Sequence, residues 1–238
     1  MELSAVARRC RSILVISLLA FVACAPVRAN MVLSNVILHF EAGEPTRQDI
    51  EIENIGDESL YVDVRPHVVE HPGTGQERRV FIADPREAGL LVTPNKLVVP
   101  PGGRKLVRFV DLKPGHSEER VYRVAVTPVT GELEARASGL KILVGYEVLV
   151  LAQPAAPNPQ LNGQRDGRSM TFRNDGNTNV MLREGRQCAT DDTPVDDCQV
   201  LGARRLYPGN EWMVELPYDR PLEYYIGIGT RSTVERWQ

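Results

Sequence analysis

Histidine is scarce in this chain: His39, His67, His71 and His116 are the only four in 238 residues. That shortage removes most metal and acid–base constellations, which draw on imidazole first. His67 and His71 are four apart, but Pro72-Gly73 follows and no helical period runs through them, so the spacing does not place them on one face. They read as solvated loop residues, with a loop site for copper or zinc as the rival. Gly43, Gly89 and Gly145 stand alone, which leaves no phosphate-binding loop. Ser117 and Ser138-Gly139 have no nucleophile motif around them. Asp191, Asp192, Asp196 and Asp197 are acidic enough for calcium, but the EF-hand spacing and its closing Glu are missing. A basic surplus is also absent, so nucleic acid is not an expected partner. The expectation is a protein that is not an enzyme and needs no cofactor, metal or small-molecule substrate.

Apolar runs long enough to span a bilayer are missing too. The longest early one, Ile13 to Ala25, sits behind Arg8, Arg9 and Arg11 and ahead of Val27-Arg28-Ala29. This is the layout of a secretory signal cleaved before Asn30, so residues 1–29 are set apart from the fold. Lipoprotein processing at Cys24, after Phe21-Val22-Ala23, is the alternative. Removing 1–29 takes away four Arg and one Glu, which moves the formal charge from −3 to −6. About 209 residues remain, enough for one large or two ordinary domains. The expected protein is exported, without membrane insertion.

Of four cysteines, Cys10 and Cys24 fall in the signal and Cys188 and Cys198 remain. Two cysteines in an exported domain are most simply a disulfide. Its loop, Ala-Thr-Asp-Asp-Thr-Pro-Val-Asp-Asp, is acidic; a metal shared between thiols and those carboxylates is disfavoured, since hard and soft ligands seldom share a cation.

What the chain does have is strand pattern from end to end. Met31 to Phe40, Gln48 to Asn54, Leu60 to Arg65, Leu97 to Pro100, Lys105 to Val110 and Val121 to Val126 are apolar or alternate with period two. Ile55-Gly-Asp57, Pro72-Gly73, Pro101-Gly-Gly103 and Pro114-Gly115 separate them. No helical period is sustained. Short strands at this spacing predict an all-β sandwich or barrel. At Gln153-Pro-Ala-Ala-Pro-Asn-Pro159 the composition shifts to a stiff connector. Strand pattern resumes at Met170–Arg173, Asn179–Arg183, Trp212–Leu216 and Tyr224–Ile228. The expected domains are 30–153 and 160–238, joined by 154–159. The second is small enough to lean on its disulfide.

One segment is out of proportion. Ser138-Gly-Leu-Lys-Ile-Leu-Val-Gly-Tyr-Glu-Val-Leu-Val-Leu-Ala-Gln-Pro154 is strand-like and nearly unbroken in apolar character. Ordinary strands run about 5–6 residues. A strand this long crosses a large sheet or overhangs its own domain. An overhanging apolar edge invites pairing, and lending it to another protein by strand addition is one use.

The block Gly89-Leu-Leu-Val-Thr-Pro-Asn-Lys-Leu-Val-Val-Pro-Pro-Gly-Gly-Arg-Lys-Leu-Val-Arg108, then Glu118-Glu-Arg-Val-Tyr-Arg-Val-Ala-Val126, then the long strand, resembles the periplasmic chaperones of chaperone–usher fimbriae. It is most similar to the alternative branch serving colonisation-factor-type fimbriae. Arg173-Asn-Asp-Gly-Asn-Thr-Asn-Val180 resembles the family's second-domain strand and turn, and the cysteine pair suits that branch. The resemblance implies two immunoglobulin-like sandwiches in a boomerang. It implies fimbrial subunits and an outer-membrane usher as partners; the overhanging edge separately allows self-association of the free protein. It also implies a donor strand, with Leu140, Ile142 and Val144 as donor residues and Tyr146 next. The opposite parity, with Leu143 and Leu149 exposed, stays open. The best-studied branch anchors the terminal carboxylate of its cargo with two basic residues. The matching positions here are Ile37 and Leu149, so Lys141 and Arg123 become the candidate anchors, with Arg108 on a strand expected nearby. A fimbrial subunit or adhesin, and an exported metal protein using His67 and His71, are the competing readings.

Overall fold

The computed structural model describes residues 30–129 and 143–238. The leader, and with it the processing site, lies outside the described residues, as do Leu140, Lys141 and Ile142. The first half comprises β1 (Met31–Leu33), β2 (Ile37–Phe40), β3 (Arg47–Asn54), β4 (Leu60–Glu70), β5 (Arg78–Phe81), the one-turn α1 (Pro85–Ala88), β6 (Leu90–Thr93), β7 (Lys96–Val99), β8 (Arg104–Asp111), β9 (Arg120–Val129) and β10 (Tyr146–Ala152). The second comprises β11 (Leu161–Asp166), β12 (Ser169–Asn174), β13 (Val180–Gln187), β14 (Gln199–Leu201), β15 (Arg204–Leu206), β16 (Glu211–Glu215), β17 (Leu222–Ile228) and β18 (Arg231–Trp237).

Period-two alternation decides which face each strand buries. In β3, Ile50 and Ile52 turn inward while Asp49, Glu51 and Glu53 alternate with them on the other face; Val107 and Phe109 of the neighbouring β8 answer them. These strands belong to a sheet ordered β1-β3-β8-β6. The facing sheet runs β2-β10-β9-β4-β5, with β7 also on β4, and contributes Val62, Val64, Val124, Val126, Val148 and Val150 to the same cluster. The second half repeats the plan with β11-β12-β16 against β14-β13-β17-β18, where β15 pairs β13. Its core is aromatic: Phe172 meets Tyr224 at 5.4 Å and Trp237 at 5.0 Å, both edge to face. The two-sandwich, all-β expectation is borne out.

Local readings need three corrections. Met31 to Phe40 is not one strand. Ser34 bonds Glu51 through its backbone N–H and through Oγ, both at 2.9 Å, and the chain crosses there from one sheet to the other. β4 extends well past Arg65, although Pro66 lies inside it. The Pro66 carbonyl accepts from Ile82 at 3.0 Å, so its nitrogen faces the gap between β7 and β5, and no bond to β9 is lost. His67 is therefore no loop residue; it is half-buried on β4 with its ring 5.8 Å from that of Phe81. Of the long apolar segment, the described ladder is Tyr146–Ala152, with Leu143 to Gly145 before it outside the strand.

Both sandwiches turn a corner with the same device. Asn54 Oδ1 accepts from Gly56 N–H at 3.0 Å, while Nδ2 reaches the Glu58 and Val99 carbonyls. Asn174 does the same with Gly176, Thr178 and Leu206. Each side chain is fully buried and satisfies three backbone groups at once. Asn174→Ala orphans those groups, and the expected loss is roughly 2–4 kcal/mol. Urea unfolding of the variant checks it.

Cys188 and Cys198 are bridged, as the sequence predicts, with Cα atoms 4.4 Å apart. Cross-linking a loop this short restricts the unfolded chain by roughly 2–3 kcal/mol. The Cys188→Ser/Cys198→Ser protein should lose that much in denaturant titration followed by Trp212 fluorescence.

Candidate functional site

β10 sits between β9 and β2, but the two partnerships differ in length. It pairs antiparallel with β9 from Tyr146 to Ala152 and parallel with β2 only from Leu149 to Ala152. Tyr146, Glu147 and Val148 thus have no strand on the β2 side among the described residues. Exposed apolar side chains flank this open edge: Val36, Ile37 and Val144 are 43–47% exposed. An edge of this kind is an unfilled hydrogen-bonding template.

Burial settles the parity of the described strand. Val148, Val150 and Ala152 enter the sandwich core. Leu149 and Leu151 turn to the other face, where they are buried with Val69, Val121 and Tyr207. Leu149 is consequently not an exposed donor. Val144, exposed, precedes the first ladder residue of β10, beyond the point where the core ends. Tyr146 closes that end: it is half-buried and donates its hydroxyl proton to the Met31 carbonyl at 3.0 Å.

Leu149 lies opposite Ile37 on β2 and Arg123 on β9. The two apolar positions that stand where basic residues were sought are therefore cross-strand neighbours, and the Arg123 side chain is the next in the row. Arg123 is half-buried, and its guanidinium forms no hydrogen bond or ion pair with another described residue. Arg108, by contrast, lies in the other sheet with its guanidinium held by both oxygens of Asp49, at 2.8 and 2.9 Å. Lys141 is outside the described residues.

The face carrying Arg123 and Leu149 meets the second sandwich. Tyr207, just past β15, packs on Val69, Val121, Leu149 and Leu151. Beside it, Glu119 is buried, and its Oε2 accepts from Thr178 Oγ1 at 2.7 Å and from Asn179 N and Nδ2 at 3.2 and 2.7 Å. Its other oxygen has no hydrogen-bond partner among the described residues. Burial raises the Glu119 pKa above the usual carboxylate value, against the opposing pull of Thr178, Asn179 and Arg205. Arg205 donates to Asn179 Oδ1, and burial lowers its pKa. His39 on β2 is pushed down by burial first and by Arg205 second, with Glu41 opposing. Glu41 in turn accepts from Thr230 N–H at 2.7 Å. Sequence reading singled out none of Glu119, Arg205 and Tyr207, because an exposed strand charge and a domain-contact residue look alike in a linear pattern.

Among the described residues no cluster of His, Cys, Asp and Glu is placed to hold a metal ion. No described helix is long and apolar enough to cross a membrane.

No family model matches the chain. Among curated proteins it is similar to a CS1 fimbrial subunit of Escherichia coli, 26% identical over 193 residues, covering 78% of this chain and 80% of that protein. It is also similar to a CFA/I fimbrial subunit of the same organism, 29% identical over 160 residues, covering 63% and 66%. Among solved structures, the class 5 fimbrial chaperone CfaA superposes with a TM-score of 0.63 at 20% identity, over 87% of this chain and 98% of that one. A chain from a chaperone–tip adhesin complex of CFA/I fimbriae biogenesis gives 0.60 at 22% identity, with the same coverage. The fold is thus that of the fimbrial chaperones, two immunoglobulin-like domains, and the resemblance read from residues 89–126 and the long strand is borne out.

Proposed function

We propose that this protein is a non-enzymatic periplasmic chaperone. It binds fimbrial subunits by adding its β10 edge strand to their sheets, and it delivers them to an outer-membrane usher. The observation that carries the proposal is the open, apolar-flanked edge at Tyr146 to Val148 on a sandwich whose own core is closed. An edge left open while the core behind it is full is suited to giving a strand rather than taking one.

The names of the curated relatives favour a second reading, that of a structural component of the fimbria. Such a component is a sandwich missing its last strand, and that omission leaves a groove. Here β10 occupies its place between β9 and β2, and Val148 and Val150 are fully buried. The closed core supports the chaperone over the structural component.

The donor side chains in this reading are Leu140, Ile142 and Val144, with Tyr146 marking where the strand becomes part of its own domain. Arg123 is the better placed of the two anchor candidates for the terminal carboxylate of the bound protein. A signal at residues 1–29 supports periplasmic export. The proposal is tested by affinity capture of the tagged protein from the periplasm of cells producing their fimbriae, with mass spectrometry of what co-purifies. A small β-rich exported protein at one-to-one stoichiometry is the expected result, and capture of none would refute the proposal.

A further inference from the structure

Glu147 is the single charged residue of β10, and it lies on the stretch that has no strand on the β2 side among the described residues. Backbone direction alternates along a strand, so every second residue offers its N–H and carbonyl to the same edge. Leu149 donates to the Val36 carbonyl and Gln153 to that of Phe40, both at 2.9 Å and both on the β2 side. Glu147 is the next residue of that parity. Its N–H and carbonyl therefore face the open edge, whereas those of Tyr146 and Val148 serve β9. Tyr146 and Val148 pack into the core, so the Glu147 side chain stands on the outer face of the sheet, where it is exposed.

The carboxylate is held in place. Arg79 of β5 donates to its Oε1 through Nη1, although β9 and β4 lie between the two strands in the sheet. The β9 residue opposite Glu147 is Ala125, which puts no long side chain in the way. The next cation along that row, Arg65 of β4, is taken up by Asp63 at 2.7 Å. Oε2 of Glu147 bonds to no described residue. Glu147 thus presents an incoming strand with a backbone donor, a backbone acceptor and a carboxylate oxygen fixed beside them. Cross-strand neighbours of opposite charge attract, and like charges repel. We infer that Glu147 determines which strands the open edge accepts, resting on the chaperone reading above: the preferred partner strand places lysine or arginine beside the Glu147 carboxylate. Arg79, Glu147 and that incoming cation then form one row of alternating charge.

The probes are two synthetic peptides, acetyl-Val-Thr-Val-Lys-Val-Thr-Val-amide and its twin with glutamate in place of lysine. They are titrated by NMR on the full chain, with the backbone N–H signal of residue 147 as readout. The lysine peptide is expected to bind about fivefold more tightly than its twin. The preference should shrink at high ionic strength. Glu147→Gln should bring the ratio close to one, and Glu147→Lys should invert it. Glu147 is exposed, so both variants should keep the parent's thermal midpoint. Glu235→Lys makes the same change of net charge on β18 of the second sandwich, where Glu235 is exposed, and should leave the ratio as in the parent. An unchanged ratio in folded Glu147→Lys overturns the inference. So does an equal response of the parent to the two peptides, or none to either, since an edge that takes no strand selects none. Partner capture from the periplasm separates the two readings. A parent that captures a fimbrial partner while Glu147 has no part in the peptide preference loses this inference and keeps the chaperone function. A parent that captures no exported protein loses the function, and the peptide titration still decides whether the edge selects by charge.

Discussion

The Ile142→Asp/Val144→Asp protein should stay folded and capture no exported partner. Val144 is exposed in the free chain and lies before the first ladder residue of β10, so the sandwich core does not depend on it. In the proposed strand-addition complex both side chains would enter an apolar groove, where each would contribute roughly 1.5–3 kcal/mol by burial. Replacing them with carboxylates removes that contribution and adds the cost of desolvating a charge. The combined loss is on the order of 5 kcal/mol or more, over a thousandfold in Kd. Capture by the two proteins, compared at equal amounts and with matching thermal midpoints, gives the answer. Equal recovery of the same partner would place the donor residues elsewhere. Leu143→Asp is the parity control. It precedes the ladder beside Val144, is half-buried where Val144 is exposed, and should reduce capture far less.

The second large effect lies in the domain contact. Glu119→Ala strips three donors in the second sandwich of their acceptor: Thr178 Oγ1, Asn179 N and Asn179 Nδ2. Buried donors left unpaired cost about 1–3 kcal/mol each, with partial relaxation bringing the sum to roughly 3 kcal/mol. For a chain this size that is a fall of roughly 6–12 °C in thermal midpoint. Asn179 would also lose the bond that orients it toward Arg205.

Glu119 also gives the protein a pH signature. Its pKa in the folded state lies above the unfolded value near 4.5, because burial disfavours the charge. The folded state then holds the proton longer than the unfolded state as pH rises. This contribution to stability is fully present below about pH 4.5 and is lost as pH climbs through the folded pKa. Glu119→Gln keeps an acceptor oxygen for the three donors and carries no charge. Its thermal midpoint should be flatter across that window than the parent's, and at neutral pH it should match or exceed the parent. A parallel decline in the two proteins would assign the pH dependence to other groups.

Much of this architecture was readable in one dimension because sandwich strands bury one face and wet the other. Gln48-Asp-Ile-Glu-Ile-Glu-Asn54 announces β3 and its inward face without help from any neighbour. The Cys188–Cys198 bridge follows equally from count and compartment. The length and apolar character of 138–154 pointed to strand donation before any sheet was known. Readings failed where a residue's environment comes from a distant segment. Ser34 breaks the first strand only because Glu51 is beside it. His67 belongs to a strand only because β9 holds β4 in register beyond Pro66.

The sequence alone determined the all-β class and the disulfide and marked out the candidate donor segment, since each rests on composition or on period along the chain. The tertiary structure decided the rest. It placed Leu149 in a buried cluster with Tyr207, left Tyr146 to Val148 without a strand on the β2 side among the described residues, and bound Glu119 to Thr178 and Asn179 of the second sandwich. Those three depend on which strands pair and how two domains meet. Both are settled by long-range packing, and no local pattern of side chains records it.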